Sequence, residues 1–291
     1  MTYAQFKIDV FNSVVRKMGN DYLISQFDVT KNNGKVLQGI SIKNPDYNIA
    51  PTFYLNPLWE RFGDDVEAAA RAIVHSYYDN EPTASFPVDS FMDWQYAKDK
   101  IIYRVINAEL NQPLLSHCPH FLLGDLAVVY SYRVIEDAFI NISNDHLDIW
   151  HVTPQELWSV AQDNIKKMAP HIFKPMRQVI AEMVKSSNLL IAPFECEEAN
   201  CLFVATNSSG THGASVIADN KFLEDFAEEH GDFIILPSSI HECIFVTKMT
   251  MDDLPELSEL VSDINEEVVA SDEILGSHAY FYDSNKKQLI F

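Results

Sequence analysis

The densest cluster of chemically capable side chains inside otherwise apolar sequence is Pro237-Ser238-Ser239-Ile240-His241-Glu242, between the runs Phe233–Leu236 and Cys243–Val246. An imidazole beside a carboxylate is the raw material of general acid–base catalysis. Read as a continuous strand, the segment puts Ser239, His241 and Cys243 on one face and Ser238, Ile240 and Glu242 on the other. His241 and Glu242 then act together only across a bulge, and a bulge after Pro237 is the natural device. The pattern is not H-E-x-x-H, because Phe245 stands where the second histidine belongs. It also lacks the G-x-S-x-G elbow of a serine nucleophile. The plainer alternative is a strand start in which Ser and Glu bond nearby backbone and His241 satisfies a buried carbonyl.

A second cluster lies upstream. Strand-like Cys201–Thr206 leads into the small polar loop Asn207–Gly213, then helical sequence Ala214–Glu229 and a glycine stop at Gly231. A strand-to-helix junction presents backbone N–H groups, which suits an anion. Thr206, Asn207, His212 and Gly213, with Ser238 and Ser239, are therefore the candidate contacts for a small anionic ligand. Neither G-x-x-x-x-G-K-[ST] nor G-x-G-x-x-G is present, so the nucleotide signals are missing. A tight turn with Thr211 or Ser215 capping the helix is the alternative. Both clusters are expected to meet at one end of a shared sheet and leave a hollow there. His117-Cys118-Pro119-His120 with Cys196 and Cys201 matches no zinc spacing, so neither a metal nor another cofactor is expected.

The elements that must position these residues come from a folded chain, since 47% of its 291 residues are hydrophobic. There are 42 acidic against 21 basic residues, a formal net charge of −21, which opposes binding to nucleic-acid phosphates and to anionic membranes. The acids fall in scattered pairs such as Asp64-Asp65 and Glu228-Glu229, the pattern of solvated helix faces. Met1–Lys7 has no apolar run of the export type, and no window approaches the roughly 18 apolar residues of a spanning helix. The expectation is a cytoplasmic chain with reduced cysteines.

Helical spacing marks Phe6–Met18 behind a Thr2/Gln5 capping box, and Pro57–Tyr78. Tyr22–Lys31 and Lys35–Lys43 form a hairpin over Asn32-Asn33-Gly34, and Asn48–Leu55 gives an edge strand carrying Pro51. Lys100–Ile106, Asp125–Val134 and Ala138–Ser143 read as strands, the last two a hairpin over Ile135-Glu136-Asp137. Asn107–His120 reads as helical and then irregular. Thr153-Pro154-Gln155-Glu156 opens a helix that Pro170 ends, and Lys174–Lys185 is a second helix. Ser186–Asn200 reads as a linker. A helix capped by Asp252 or Asp253 carries the stripe Leu257, Leu260, Val261, Ile264 and Val268. Ala279–Tyr282 and Gln288–Phe291 close the chain as a hairpin. The mixed order of elements predicts an α+β fold with largely antiparallel sheets. The expected units are 1–80 (α-β-β-β-α), 81–190 (strand hairpin and helix pair) and 191–291 (an α/β unit), packed as one or two compact domains.

Several stretches together resemble a known family. They are Val29-Thr30-Lys31-Asn32-Asn33-Gly34, Asn48-Ile49-Ala50-Pro51-Thr52, Val105-Ile106-Asn107-Ala108-Glu109, Asp125-Leu126-Ala127-Val128-Val129-Tyr130, Thr206-Asn207, His212-Gly213-Ala214 and Ile235–Glu242. The family is catalogued as domain of unknown function 5688, from gut clostridia and their relatives. The resemblance covers nearly the whole chain but implies no activity, ligand or catalytic residue. Asn usually precedes the family's glycine-alanine step, and His212 stands there in this chain. The residues themselves point first to a non-enzymatic binding or regulatory protein for a small anionic ligand or a protein partner. The alternatives are a hydrolase or transferase with His241 and Glu242 as acid and base, and an acidic inhibitor that masks a basic partner.

Overall fold

A computed structural model describes residues 1–135, 138–186 and 201–291. The fold is α+β with three antiparallel sheets, and the chain divides into two compact units, Met1–Asp89 and Ser90–Phe291.

In the first unit, α1 (Tyr3–Met18) begins where Thr2 Oγ1 accepts the Gln5 N–H at 3.3 Å. Phe6, Val10, Val14 and Met18 recur at helical spacing and are buried. They pack with Ile40, Ile42 and Leu55 and with Ala69, Ala70, Ile73 and Tyr77. The sheet is β1 (Leu23–Thr30), β2 (Val36–Lys43) and β3 (Thr52–Tyr54) in that order. The β1–β2 turn puts Asn33 and Gly34 at positive φ, 57° and 69°, the conformation for which Asn-Gly is suited. β3 is only three residues long and follows Pro51, as an edge strand should. Helices α2 (Leu55–Phe62) and α3 (Val66–Asp79) complete the unit.

The chain passes into the second unit within α4 (Val88–Met92), followed by α5 (Trp94–Ala97). A four-stranded sheet is built from β4 (Ile101–Asn107), β5 (His120–Leu123), β6 (Leu126–Ile135) and β7 (Ala138–Asn141), with the short α6 (Gln112–Leu115) between β4 and β5. Central β6 pairs with β4 along one edge and with β5 and β7 along the other. Glu136 and Asp137, read as part of the β6–β7 turn, lie outside the described residues. α7 (Asn144–Trp150) and α8 (Pro154–Met168) follow, α8 behind a complete capping box of Thr153 and Glu156. The rings of Phe91 and Trp94 pack on Trp150, at centroid distances of 5.6 and 5.4 Å.

The six-stranded sheet has the order β13-β12-β10-β11-β9-β8. Its strands are β8 (His171–Pro175), β9 (Leu202–Asn207), β10 (Phe233–Ser239), β11 (Glu242–Thr247), β12 (Tyr280–Asp283) and β13 (Gln288–Ile290). α9 (Met176–Ser186) follows β8, and most of the interval read as a linker, 187–200, lies outside the described residues, Cys196 included. A 3₁₀ segment, Gly213–Ala218, and α10 (Asn220–His230) lie between β9 and β10; α11 (Leu254–Glu267) precedes β12.

Two strands escaped the sequence reading. β5 is four residues long and largely exposed, so it carries no alternating burial. β8 follows directly on Pro170 and takes Lys174 and Pro175, which helical spacing had assigned to the next helix. Of the stripe on α11, Val261 is buried whereas Leu260, Ile264 and Val268 are exposed. Among the described residues no helix is long and apolar enough to cross a membrane.

Candidate functional site

Pairing of β9 with β11, Ala205 opposite Cys243, brings the end of β9 beside the start of β11. The two loops therefore meet at one end of the sheet. The segment Pro237–Glu242 is not a continuous strand: Ser239 pairs with Glu242, so Ile240 and His241 form a two-residue turn, and the register shifts between Leu236 and Ser239. That shift is the bulge anticipated after Pro237. The turn's backbone bonds are met from outside the hairpin, Ile240 N–H by Glu273 O at 2.9 Å and Ile240 O by the Ala214 N–H at 3.3 Å. His241 O accepts the Thr206 hydroxyl at 2.8 Å, and Ser239 Oγ accepts the His241 N–H at 3.0 Å.

Most of the candidate ligand contacts are thus occupied in holding the loops together. Asn207 is buried; its amide donates to Thr211 O at 2.9 Å and its Oδ1 accepts both the N–H and the hydroxyl of Ser209. Thr206 and Ser239 are used as above, and Gly213 is wedged where no side chain fits, under Thr206, Asn207 and His241. Ser238 and Glu242 are half-buried. The carboxylate that faces the His241 ring is Glu273, with Nε2 and Oε1 3.8 Å apart, rather than Glu242.

His212 is the exception. It sits at φ 54°, a left-handed conformation that histidine tolerates better than most residues, and its N–H donates to His241 Nδ1 at 3.2 Å. The two rings stack with centroids 5.7 Å apart. Arg104, in the middle of β4, brings a guanidinium N–H to His212 Nε2 at 3.4 Å and another to Asn141 Oδ1. Arginine can only donate, so Nε2 must be the acceptor and the proton of a neutral ring must lie on Nδ1. The ring is neutral: burial first, then the charges of Arg104 and His241, push its pKa down to about 3. His212 Nδ1–H is consequently a buried donor without an acceptor among the described residues, and Arg104 Nε is another.

His212 lines a small void of about 10 Å³, room for one water-sized group. Arg133, Phe139, Ser209, Thr211 and Ser215 also line it, and among the described residues no Asp or Glu does. Arg133 spends one N–H on Met168 O at 3.1 Å. Among the described residues neither Arg104 nor Arg133 is ion-paired to a carboxylate. In a chain with a net charge of −21, this is a pocket of donors and positive charge.

Ser215, in the 3₁₀ segment, belongs to a further arrangement. His171 on β8 places Nε2 3.0 Å from Ser215 Oγ and Nδ1 2.8 Å from Asp219 Oδ2. Burial pushes the Asp219 carboxyl up, but hydrogen bonds from His171 and the Phe222 N–H, with the charges of His171 and Lys166, outweigh it and leave the group below its ordinary range. On its other side Asp219 faces a cleft of about 290 Å³ shared with Lys166, Lys221 and Glu224.

Arg104, Arg133, His171, Ser215 as an Oγ donor and Asp219 were not found from sequence. Arg104 did carry a signal, a lone charge inside an apolar strand. His171 carried none, because its strand was unrecognised. Among the described residues no group of three or more His, Cys, Asp or Glu is placed to hold a metal ion.

No curated protein and no solved structure matches the chain. Residues 3–284 match the family of unknown function DUF5688, and the chain belongs to that family.

Proposed function

We propose that this protein binds a small anion, as a binding or regulatory protein, in the pocket lined by His212, Arg133 and Thr211 and backed by Arg104. The observation that carries this reading is the orphaned donor on His212 Nδ1. A buried N–H without an acceptor is destabilising by about 1–3 kcal/mol and is rare in native proteins. An anion supplies the acceptor, and it also neutralises two guanidinium groups that have no carboxylate paired with them among the described residues. The void has the size of a single carboxylate oxygen, which favours the smallest oxyanions, such as formate or acetate, over phosphate and nucleotides.

Thermal unfolding at matched ionic strength tests this directly. Formate or acetate at saturation is expected to raise the melting temperature, because a ligand at about 100 times its Kd contributes about 2.7 kcal/mol. Arg104→Met should abolish the rise while leaving a folded protein. A series of formate, acetate, phosphate and nucleotides that leaves the melting temperature unmoved would remove the reading.

A further inference from the structure

We infer that Ser215 is the nucleophile of a small-acyl transfer reaction, with His171 as its base and Asp219 as the group that orients the base. The inference rests on the anion pocket and extends it from binding to chemistry.

Three features of the geometry point this way. First, the hydrogen bonds run in one line: Asp219 Oδ2 to His171 Nδ1 at 2.8 Å, and His171 Nε2 to Ser215 Oγ at 3.0 Å. An ionised Asp219 can only accept, so it takes the Nδ1–H of His171, and the imidazole form of the ring then has Nε2 to accept the serine proton. Second, Ser215 and His212 line the same void, and His212 carries the unpartnered Nδ1–H that an attacked carbonyl there would meet in this inference. A donor that gains an acceptor only when a carbonyl oxygen turns into an oxyanion is the arrangement that stabilises such a transition state. Third, Arg133 on the same wall offers a positive charge to an anionic leaving group.

The dimensions select the substrate class. Ser215 is 1% exposed and the void of about 10 Å³ matches a single carbonyl oxygen, so only the smallest acyl groups, formyl or acetyl, bring their carbonyl to Ser215. With an acyl phosphate, Ser215 Oγ bonds the carbonyl carbon as its proton passes to His171 Nε2. The carbon–oxygen bond to phosphate then breaks as His171 returns that proton to the departing oxygen, and hydrogen phosphate leaves. Water attacks the acyl-serine, gives its proton to His171, and the carboxylate departs as that proton returns to Ser215. The net reaction is hydrolysis of an acyl phosphate to carboxylate and phosphate, with no redox partner.

Incubation of the full chain with acetyl phosphate tests the inference. The expected result is phosphate release faster than in buffer, with an acetyl group on the Ser215 peptide in acid-quenched samples. Ser215→Ala should abolish both, and His171→Gln should lower the rate by about 100-fold or more. Asp219→Asn keeps the α10 cap, since Asn caps as well as Asp, so it should lower the rate while leaving a folded protein. Release no faster than buffer, or release undiminished in Ser215→Ala, overturns the inference. A formate-dependent melting shift that survives in an inert Ser215 site would leave anion binding intact and remove only the chemistry. Loss of that shift in the unaltered chain would remove the binding reading first.

Discussion

Gly213→Ala is expected to destabilise the unit Ser90–Phe291 by about 3 kcal/mol or more, at the upper end for an overpacked site. A Cβ at this position would stand 2.5 Å from His241 O and 2.7 Å from Asn207 N, and nearer still to Thr206 Oγ1. The Thr206 hydroxyl could rotate away at the loss of its bond to His241 O. The other two atoms are backbone and cannot. Room for a methyl group appears only if the Ile240-His241 turn separates from the 3₁₀ segment, which also breaks the bond from Ala214 N–H to Ile240 O. Gly213 is not among the glycines at positive φ, so the loss is steric and owes nothing to backbone preference. Gly210 provides the contrast. It lies three residues away at φ 70° with nothing within 4 Å of a built Cβ, so Gly210→Ala should lose only the left-handed preference, about 1 kcal/mol. Urea unfolding of the two variants separates the explanations. Equal losses would mean that the site's two loops are not clamped through Gly213.

The same clamp shows what could be read from the chain and what could not. Helix starts, the Asn33-Gly34 turn and the capping box at Thr153 are written within a few residues, so local chemistry suffices to find them. The meeting of the 207–213 loop with the 238–242 turn was also legible, because two apolar runs at short separation predict paired strands and pairing fixes which ends adjoin. Legibility stops where a contact spans the chain. Arg104 and His212 are 108 residues apart, and no pattern in the strand of one or the loop of the other names its partner. The neighbour of His241 was misjudged for a related reason. Glu242 is next in sequence, but the two-residue turn directs the ring toward Glu273, a residue in a loop without periodicity. Sequence also gives the face of a helix but not its cover: the α11 stripe was read correctly as apolar, while Leu260, Ile264 and Val268 remain exposed. Asn207 illustrates the last gap. Its type suggested a ligand contact, whereas its three hydrogen bonds all close its own loop.

Acidification should destabilise this protein through His212 by about 3 kcal/mol between neutral pH and about pH 4.5. Burial, then Arg104 and His241, hold the imidazole neutral down to a pKa of about 3 in the folded chain. In the unfolded chain it takes up a proton near pH 6.5. Between those two values the unfolded state binds more protons than the folded state, so stability falls as pH falls, by about 1.4 kcal/mol per unit. Neutral His212 therefore contributes stability that is fully present above about pH 6.5 and is gone once pH drops through about 3. Other groups, among them Asp219 with its lowered pKa, add losses of the same sign at lower pH, so the comparison must be with a variant. His212→Asn retains an acceptor for Arg104 and has nothing to titrate. Urea midpoints at about pH 7 and pH 4.5 should diverge for the unaltered chain and converge toward a common slope in His212→Asn. Formate adds a second handle on the same group. An anion in the pocket favours the protonated ring, raises its folded pKa and flattens the curve. A native curve parallel to that of the variant would mean that His212 protonates freely in the folded state. The tautomer imposed by Arg104, and the unpartnered donor on which anion binding depends, would then both be lost.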